Sequence, residues 1–280
     1  MSVRIGLATT VEMPLVDDDE KLLCDHLPEA EVVAWDDPDV VWSRYDAVFL
    51  RSTWNYHNHR DAFLRWVDQV HTVSTVWNPP GMVRWNTDKR YLAELAAKGY
   101  PVVATEFFAP GEKIPSSSLE DTVVVKPSVG AGSNGAKMFR SDPEAALAHA
   151  EALHESGKTV MVQPYVSAID DHGERALMYV GGNFSHAATK APILSQNMSW
   201  STGIYADEKI TRADATAEEK ALADALVADM PATAYARIDL VPGPEGPLIL
   251  ELEVTEPSLF LWLDEEAPAR TAAAFRQLVT

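Results

Sequence analysis

The chain has 280 residues, 46% of them hydrophobic and 23% charged, enough for one large core or two to three small ones. Its net charge of −19, from 42 acidic against 23 basic residues, excludes a free polyanion such as DNA or RNA as the expected partner, because binding one needs a basic surface; a small phosphate ligand held by a few lysines and metal ions is compatible. A single cysteine, Cys24, the lack of a basic-then-apolar leader pattern and the lack of any run of about 18 apolar residues together predict a soluble cytoplasmic protein without membrane contact.

Residues 3–8, 31–35 and 45–50 read as three strands. Between the first two, Asp17, Asp18 and Asp19 open a short helix to Leu27, where acidic side chains suit the positive helix terminus. A helix over 59–70 puts Phe63, Trp66, Val67 and Val70 on one face. This alternation predicts a small parallel α/β lobe. The loop Arg51, Ser52, Thr53, Trp54, Asn55, Tyr56 and His57 lies at the carboxyl end of the third strand, where ligands bind in open α/β sheets. Its donors and aromatics make it a candidate substrate contact; an ordinary loop with a helix cap is the competing reading.

Asn78-Pro79-Pro80-Gly81 marks a boundary. A helix is then expected from Asn86 or Thr87, as N-cap, to Lys98, with Gly99 as its stop. Lys89 falls in its first turn, the unfavourable end for a cation unless an anion sits there. Residues 102–107 read as a strand.

In TVVVKPSVGAGSNGAK (122–137), three valines lead to Lys126. Gly130, Gly132 and Gly135 follow, interleaved with Ala131, Ser133 and Asn134, before apolar character returns. Strand, glycine-rich turn, strand is the expected order. Such a turn lets backbone N–H groups approach an anion, and Lys126 adds charge beside it. The dinucleotide fingerprint and the Walker A loop both open a helix and do not match. A plain hairpin turn competes with a phosphate cover.

Asp142 caps a helix over 143–155 with Pro143 at its first position. A strand over 160–163 leads to Gln163, Pro164, Tyr165 and Val166, read as a crossover between lobes. A polar loop over 170–173 precedes a hairpin, 174–180 and 184–189, with Lys190 directly after it. Residues 192–212 have weak periodicity and read as a mobile loop that orders on substrate binding. Thr216 and Glu219 form a capping box for a helix to Met230. Strands follow over 235–241 and 248–254, then a last helix over 265–278. On the second strand Leu248, Leu250, Leu252 and Val254 take one face, Glu251 and Glu253 the other; Arg237 and Asp239 share a face. If the strands pair, Asp239, Glu251 and Glu253 converge. Three carboxylates together repel unless they hold a cation; a solvated polar face is the alternative.

Asn86-Thr87-Asp88-Lys89, VVVKP with GAGSNG, VQPYV, GERALMYVGGNFSHAATK, and ARIDL with LILELEVTEPSLFL resemble the ATP-grasp superfamily of carboxylate ligases, in its glutathione synthetase-like branch, over essentially the whole chain. The resemblance implies an ATP-grasp fold of α/β and α+β type. An N-terminal pre-ATP-grasp α/β lobe would span 1–83, a central lobe with the glycine-rich phosphate loop 84–163, and a C-terminal lobe with the metal site 164–280, the last two α+β and clasping ATP. It implies that Lys89 and Lys126 touch the α- and β-phosphates and that the turn from Gly130 to Gly135 closes over them. Gln163, Pro164, Tyr165 and Val166 would hold adenine, and Asp170 or Glu174 the ribose. Arg175, Lys190 and Arg237 would face the transferred phosphate or the substrate carboxylate, and Asp239, Glu251 and Glu253 would bind two Mg²⁺ ions. Glu253 departs from the asparagine that many members carry there.

The implied chemistry transfers the γ-phosphoryl group of ATP to a carboxylate and lets a nitrogen attack the acyl phosphate, with charge stabilised by preorganised cations and water excluded. LRSTWNYH, VWNPP with RWNTDKRYL, and ELEVTEPSLFL are further similar to the O-ureido-D-serine cyclo-ligases of D-cycloserine biosynthesis. That implies a small amino-acid substrate whose own side-chain nitrogen closes a five-membered ring. An intermolecular carboxylate–amine ligase, a kinase and a non-catalytic ATP sensor are the alternatives. A monomer and a homodimer both fit.

Overall fold

The structure, a computed structural model, describes residues 3–13, 15–192, 200–201, 205–206 and 209–279. The loop expected over 192–212 lies largely outside these residues.

The first unit contains β1 (Ile5–Thr9), α1 (Asp18–His26), β2 (Ala30–Ala34), β3 (Ala47–Leu50), α2 (Arg60–His71) and β4 (Thr75–Trp77). The sheet is wholly parallel, in the order β2-β1-β3-β4. All four β3 residues are buried, as a strand covered on both faces requires. Ala8, Val48 and Leu50 pack against Phe63, Trp66 and Val67 of α2. Ile5, Leu7 and Phe49 face the other way, toward Leu23 and Leu27 and toward Phe275 of the C-terminal helix. Phe49 and Phe275 stack with ring centroids 3.9 Å apart.

Next come α3 (Pro80–Asn86), α4 (Tyr91–Ala97), β5 (Glu106–Phe108), β6 (Val123–Pro127), β7 (Lys137–Phe139), α5 (Pro143–Glu155) and β8 (Val160–Pro164). The four strands form an antiparallel sheet, β5-β8-β6-β7. Val123 and Val125 point at Ala146, Ala150 and Leu153 of α5, so alternation sends Val124 and Lys126 to the opposite face. Asp142 caps α5 by accepting from Ala145 N–H at 3.0 Å.

The remaining elements are α6 (Ile169–His172), β9 (Glu174–Val180), β10 (Asn183–Lys190), β11 (Trp200–Ser201), β12 (Tyr205–Ala206), β13 (Ile210–Ala213), α7 (Ala217–Ala228), β14 (Tyr235–Gly243), β15 (Gly246–Glu253) and α8 (Ala267–Val279). A five-stranded antiparallel sheet runs β13-β10-β9-β14-β15, and β11 pairs with β12 separately. One face of the large sheet, with Leu177, Tyr179, Ile238 and Leu252, packs on Leu92 and Leu95 of α4 and Leu226 of α7. The other face packs Ala176, Met178 and Tyr235 against α8 and the first sheet. Toward the opposite end of its strands this second face becomes charged. No helix among the described residues is long and apolar enough to cross a membrane.

Two local expectations need correction. The helix expected over 86–98 starts only at Tyr91, Asn86 instead ends α3, and Lys89 lies between α3 and α4 with its N–H donating to Ser128 O at 2.8 Å. Pro80 stands at the boundary expected over 78–81, after β4 ends at Trp77. It starts α3, where its missing N–H costs nothing. The β14–β15 ladder carries a bulge: Asp239 faces Glu251 but Leu240 faces Ile249. One extra residue reverses the faces upstream, so Ile249 joins Leu252 in the core and Leu250 lines the cavity instead.

Asn86, expected as a helix cap, is a buried fastener. It donates to Leu252 O at 2.7 Å and accepts from Val254 N–H, Thr255 N–H and the Thr255 hydroxyl at 2.9–3.1 Å. Asn86→Ala strands these groups without water and is expected to cost about 2–4 kcal/mol by urea unfolding. A loss below about 1 kcal/mol would remove Asn86 from the fold's supports.

Glu20 in α1 is 1% exposed, and its Oε2 has no hydrogen-bond partner among the described residues. Burial, then Asp17, push its carboxyl up from 4.5 to about 8, against Arg51. The folded state therefore keeps a proton that the unfolded chain releases. This contribution is fully present below pH 4.5 and is lost as pH rises through about 8. Glu20→Gln should match the parent near pH 4.5 and exceed it by a few kcal/mol, to order of magnitude, above pH 8. A gap that does not widen with pH would contradict the assignment.

Candidate active site

A cavity of about 470 Å³ lies between the second sheet, the charged end of the third sheet and the loop after β3. The second sheet supplies Val124 and Lys126 from β6 and Gln163 and Pro164 from β8, followed by Tyr165 and Val166. Gln163 is held by donation to the Thr105 hydroxyl at 2.9 Å. Gly130, Ala131, Gly132, Ser133 and Asn134 border the cavity from the turn between β6 and β7. Gly135 does not reach it. At φ +77, with a would-be Cβ 3.1 Å from Pro127 Cδ, Gly135 lets the turn fold back on its own strand. Asn134 Nδ2 lies 3.3 Å from His57 Nε2, so the turn touches the first unit.

The third sheet supplies the charge. The register Arg237↔Glu253 and Asp239↔Glu251 brings the expected carboxylates onto one face. Each engages a cation. Lys89 Nζ lies 2.8 Å from Glu251 and also donates to Gly130 O at 2.8 Å, tying the turn to β15. Lys190 donates to Glu174 and to Asp239, both at 3.0 Å. Arg237 grips both Asp239 oxygens at 2.9 and 3.0 Å and reaches Glu253 at 2.6 Å. Among the described residues no three His, Cys, Asp or Glu side chains close round one point.

Burial works against every charge here, and the neighbours decide the outcome. It raises Asp239, but Arg237 and Lys190 override it and hold the carboxyl at about 2. It raises Glu253, and Glu251 and Asp239 add to it against Arg237, so that carboxyl sits at about 7. It lowers Lys126, with Lys89 and Lys190 adding and Glu251 opposing. It also pulls on Lys89, yet Glu251 holds that ammonium above its ordinary value. Glu251 and Glu253 border the cavity with hard oxygen donors. This donor set fits Mg²⁺.

Other expected residues lie elsewhere. Arg175 does not face the cavity. Successive strand residues alternate, and with Glu174 turned to Lys190, Arg175 points to the α7 side, toward Glu219 at 3.4 Å and the Thr189 hydroxyl at 2.7 Å. Asp170 lies outside the cavity wall and accepts from the Tyr165 hydroxyl at 2.5 Å, while Glu174 is in the wall. Of the loop after β3, only Trp54 and Tyr56 border the cavity. Arg51, Ser52, Thr53 and Asn55 are at most 2% exposed and lie behind it. Arg51 donates to Pro257 O at 2.8 Å, Ser52 to the Thr9 hydroxyl at 2.7 Å, and Asn55 to Glu12 and Asp36 at 2.9 and 2.8 Å.

Sequence reasoning missed a wall of the cavity. Asp17, Asp18 and Asp19 border it from the start of α1, and Glu256, Ser258, Phe260 and Trp262 from the segment after β15. The acidic run had a sufficient local explanation as a helix start. The later segment has no period to read, although ELEVTEPSLFL was already singled out.

Comparison with known proteins places the chain in a family. Residues 5–78 match the family described as "D-cycloserine synthetase DcsG, N-terminal domain". The cycloserine biosynthesis protein DcsG of Streptomyces lavendulae is 37% identical over 267 residues, covering 89% of this chain and 88% of that protein. The crystal structure of D-cycloserine synthetase DcsG superposes with a TM-score of 0.87 at 31% identity, over 99% of both chains. The ATP-grasp ligase PsnB, complexed with a phosphomimetic variant of its minimal precursor, Mg and ADP, shares the fold with a TM-score of 0.63 at 15% identity, over 99% of both chains. The chain belongs to the DcsG family of ATP-grasp enzymes and is an ATP-dependent ligase.

Proposed function

We propose that this ligase closes O-ureido-D-serine into the five-membered ring of the D-cycloserine skeleton, using ATP. The observation that carries the reading is a single cavity bordered by a glycine-rich turn, the cations Lys89, Lys126, Lys190 and Arg237, and the carboxylates Glu251 and Glu253. This is a phosphoryl-transfer surface with room for a second, small ligand. The γ-phosphoryl group passes to the substrate carboxylate, leaving ADP. The substrate's side-chain nitrogen then attacks the carboxyl carbon, inorganic phosphate leaves with the C–O electron pair, and the nitrogen gives up its proton. Enzyme and substrate would share the cytoplasm with the ATP supply.

In this reading Lys126 and Lys89 bind the α- and β-phosphates, and the turn from Gly130 to Gly135 covers them. Gln163, Pro164, Tyr165 and Val166 take the adenine, and Glu174 the ribose. Lys190 and Arg237 stand at the transferred phosphoryl group and the substrate carboxylate. Glu251 and Glu253, with Asp239, hold two Mg²⁺ ions, which supply charge neutralisation at the phosphates. Trp54 and Tyr56 bound the substrate end and exclude water from a reactive anhydride.

The decisive experiment is phosphate release from MgATP with O-ureido-D-serine as the sole organic substrate, with products identified by mass spectrometry. Phosphate with a cyclic product lighter than the substrate by one water is the expected result. A requirement for a separate amine would make the enzyme an intermolecular ligase. A product heavier by a phosphoryl group would make it a kinase.

Glu251→Gln should lower kcat by at least about 10²-fold at saturating Mg²⁺ while the melting transition persists, since one charge at the phosphates is lost. Parent-like turnover would refute the metal assignment of β15.

A further inference from the structure

After β15 the chain forms a strap, residues 254–262, and the ligase reading gives it no role beyond walling the cavity. Its backbone is held on every side. Asn86 accepts from Val254 and Thr255 N–H groups at 2.9 and 3.1 Å. Trp54 donates to Glu256 O at 3.1 Å, Arg51 to Pro257 O at 2.8 Å and Arg237 to Ser258 O at 3.1 Å. Asp19 accepts from Leu259 and Leu261 N–H groups at 2.6 and 2.8 Å. Phe260 takes a left-handed conformation at φ +49, which a non-glycine residue keeps only where its surroundings over-determine it. A segment fixed this thoroughly presents its side chains at set positions.

Glu256 is the side chain that stands out. It borders the cavity, is 8% exposed, and among the described residues its carboxylate has neither an ion pair nor a hydrogen bond. Glu174, Glu251 and Glu253 border the same cavity, and each has a lysine or arginine partner. Burial, then Glu253, push the Glu256 carboxyl up to about 8, against Lys89 and Arg237. A buried anion without a partner is costly unless a ligand brings the opposite charge.

We propose that Glu256 is the anchor for the cationic α-ammonium group of the amino-acid substrate. This rests on the reading of the cavity as the site of an amino-acid ligase. An α-amino acid carries a carboxylate and an ammonium on adjacent positions, so its site needs a cation and an anion side by side. Arg237 and Glu256 both border the cavity, and Arg237 is bonded to the strap two residues past Glu256. With its carboxyl group toward Arg237, the substrate turns its ammonium to Glu256. A protonated amine is not a nucleophile, so this anchor also keeps the α-nitrogen from attacking an acyl phosphate and leaves the side-chain nitrogen to do so.

The test compares the full-length parent with Glu256→Gln and Glu256→Asp. Phosphate release gives KM for O-ureido-D-serine and for ATP. Calorimetry in MgADP gives the binding of O-ureido-D-serine, D-serine and their deamino counterparts. Glu256→Gln should raise KM for the amino acid by about 10- to 100-fold and leave KM for ATP within about twofold, with Glu256→Asp between. In the parent the deamino compounds should bind more weakly by a similar factor, and in Glu256→Gln that discrimination should vanish. An unchanged KM for the amino acid, or a change confined to ATP and Mg²⁺, would overturn the anchor while the cyclo-ligase reading stands. Amino-acid binding that Glu256→Gln abolishes, without any cyclisation by the parent, would support the anchor and remove the cyclo-ligase reading. No binding of any amino acid by the parent would overturn both.

Discussion

The grip of Arg237 on Asp239 is the joint on which the charged end of the third sheet depends. Asp239 is 1% exposed and would not stay ionised by itself. The bidentate guanidinium and the Lys190 ammonium keep it ionised, and the strand register then sets Glu251 beside it and Glu253 beside Arg237. A network of this kind is a poor source of stability. Its desolvation cost rivals its attraction, and losing one partner typically costs about 3–5 kcal/mol because the survivor is stranded. A well-packed apolar pair would serve the sheet better. The network makes sense as a device that holds several charges at fixed positions in a place where water is scarce.

The same logic governs how the first unit meets the third sheet. Their contact has an apolar part, with Phe49 stacked on Phe275, but its register is set by polar groups. Asn78 accepts from Ala234 N–H and donates to Tyr235 O and Val254 O at 2.6–2.9 Å. The Tyr235 hydroxyl donates to Leu50 O at 2.6 Å. Arg51 and Trp54 complete the set at the strap. Dispersion tolerates small slips, whereas a buried hydrogen bond does not. The loop after β3 is thus chiefly a fastening. It holds Trp54 and Tyr56 in the cavity wall, and the donors of Arg51, Ser52, Trp54 and Asn55 are spent on backbone carbonyls and on side chains of the first unit.

This explains which features could be read from the sequence. Local signals were reliable where one residue's chemistry decides: Asp142 and Pro143 at the start of α5, the Thr216–Glu219 box, the period-2 face of Glu251 and Glu253. The face of Leu250 was not legible, because a bulge inserts its residue without any composition cue. Arg175 was assigned by motif position, yet alternation from Glu174 places it on the opposite face, which the sequence could have shown. Arg51 and Asn86 look like site residues because they are polar and embedded in motifs. Only their partners, some 166 to 206 positions away, show that they serve the backbone. Glu256 escaped for the converse reason: beside Pro257 it reads as the end of a strand.

Charge pairing within the cavity gives it a direction. Lys89, Lys190 and Arg237 are each bound to a carboxylate, of Glu251, Asp239 and Glu253 in turn. Among the described residues bordering the cavity, Lys126 has no ion pair, and neither has the carboxyl group of Glu256. They stand on different elements, Lys126 on the second sheet below the glycine-rich turn and Glu256 on the strap against the first unit. Two ligands of opposite local charge are thereby sorted before any chemistry occurs. On that reading a polyphosphate is drawn to the Lys126 end. An ammonium is drawn to the strap and repelled by the lysines. In the proposed reading the carboxylate next to that ammonium lies between them, beside Arg237, where the terminal phosphoryl group would also arrive. Order imposed in this way reduces the entropic cost of bringing two anionic reactants together.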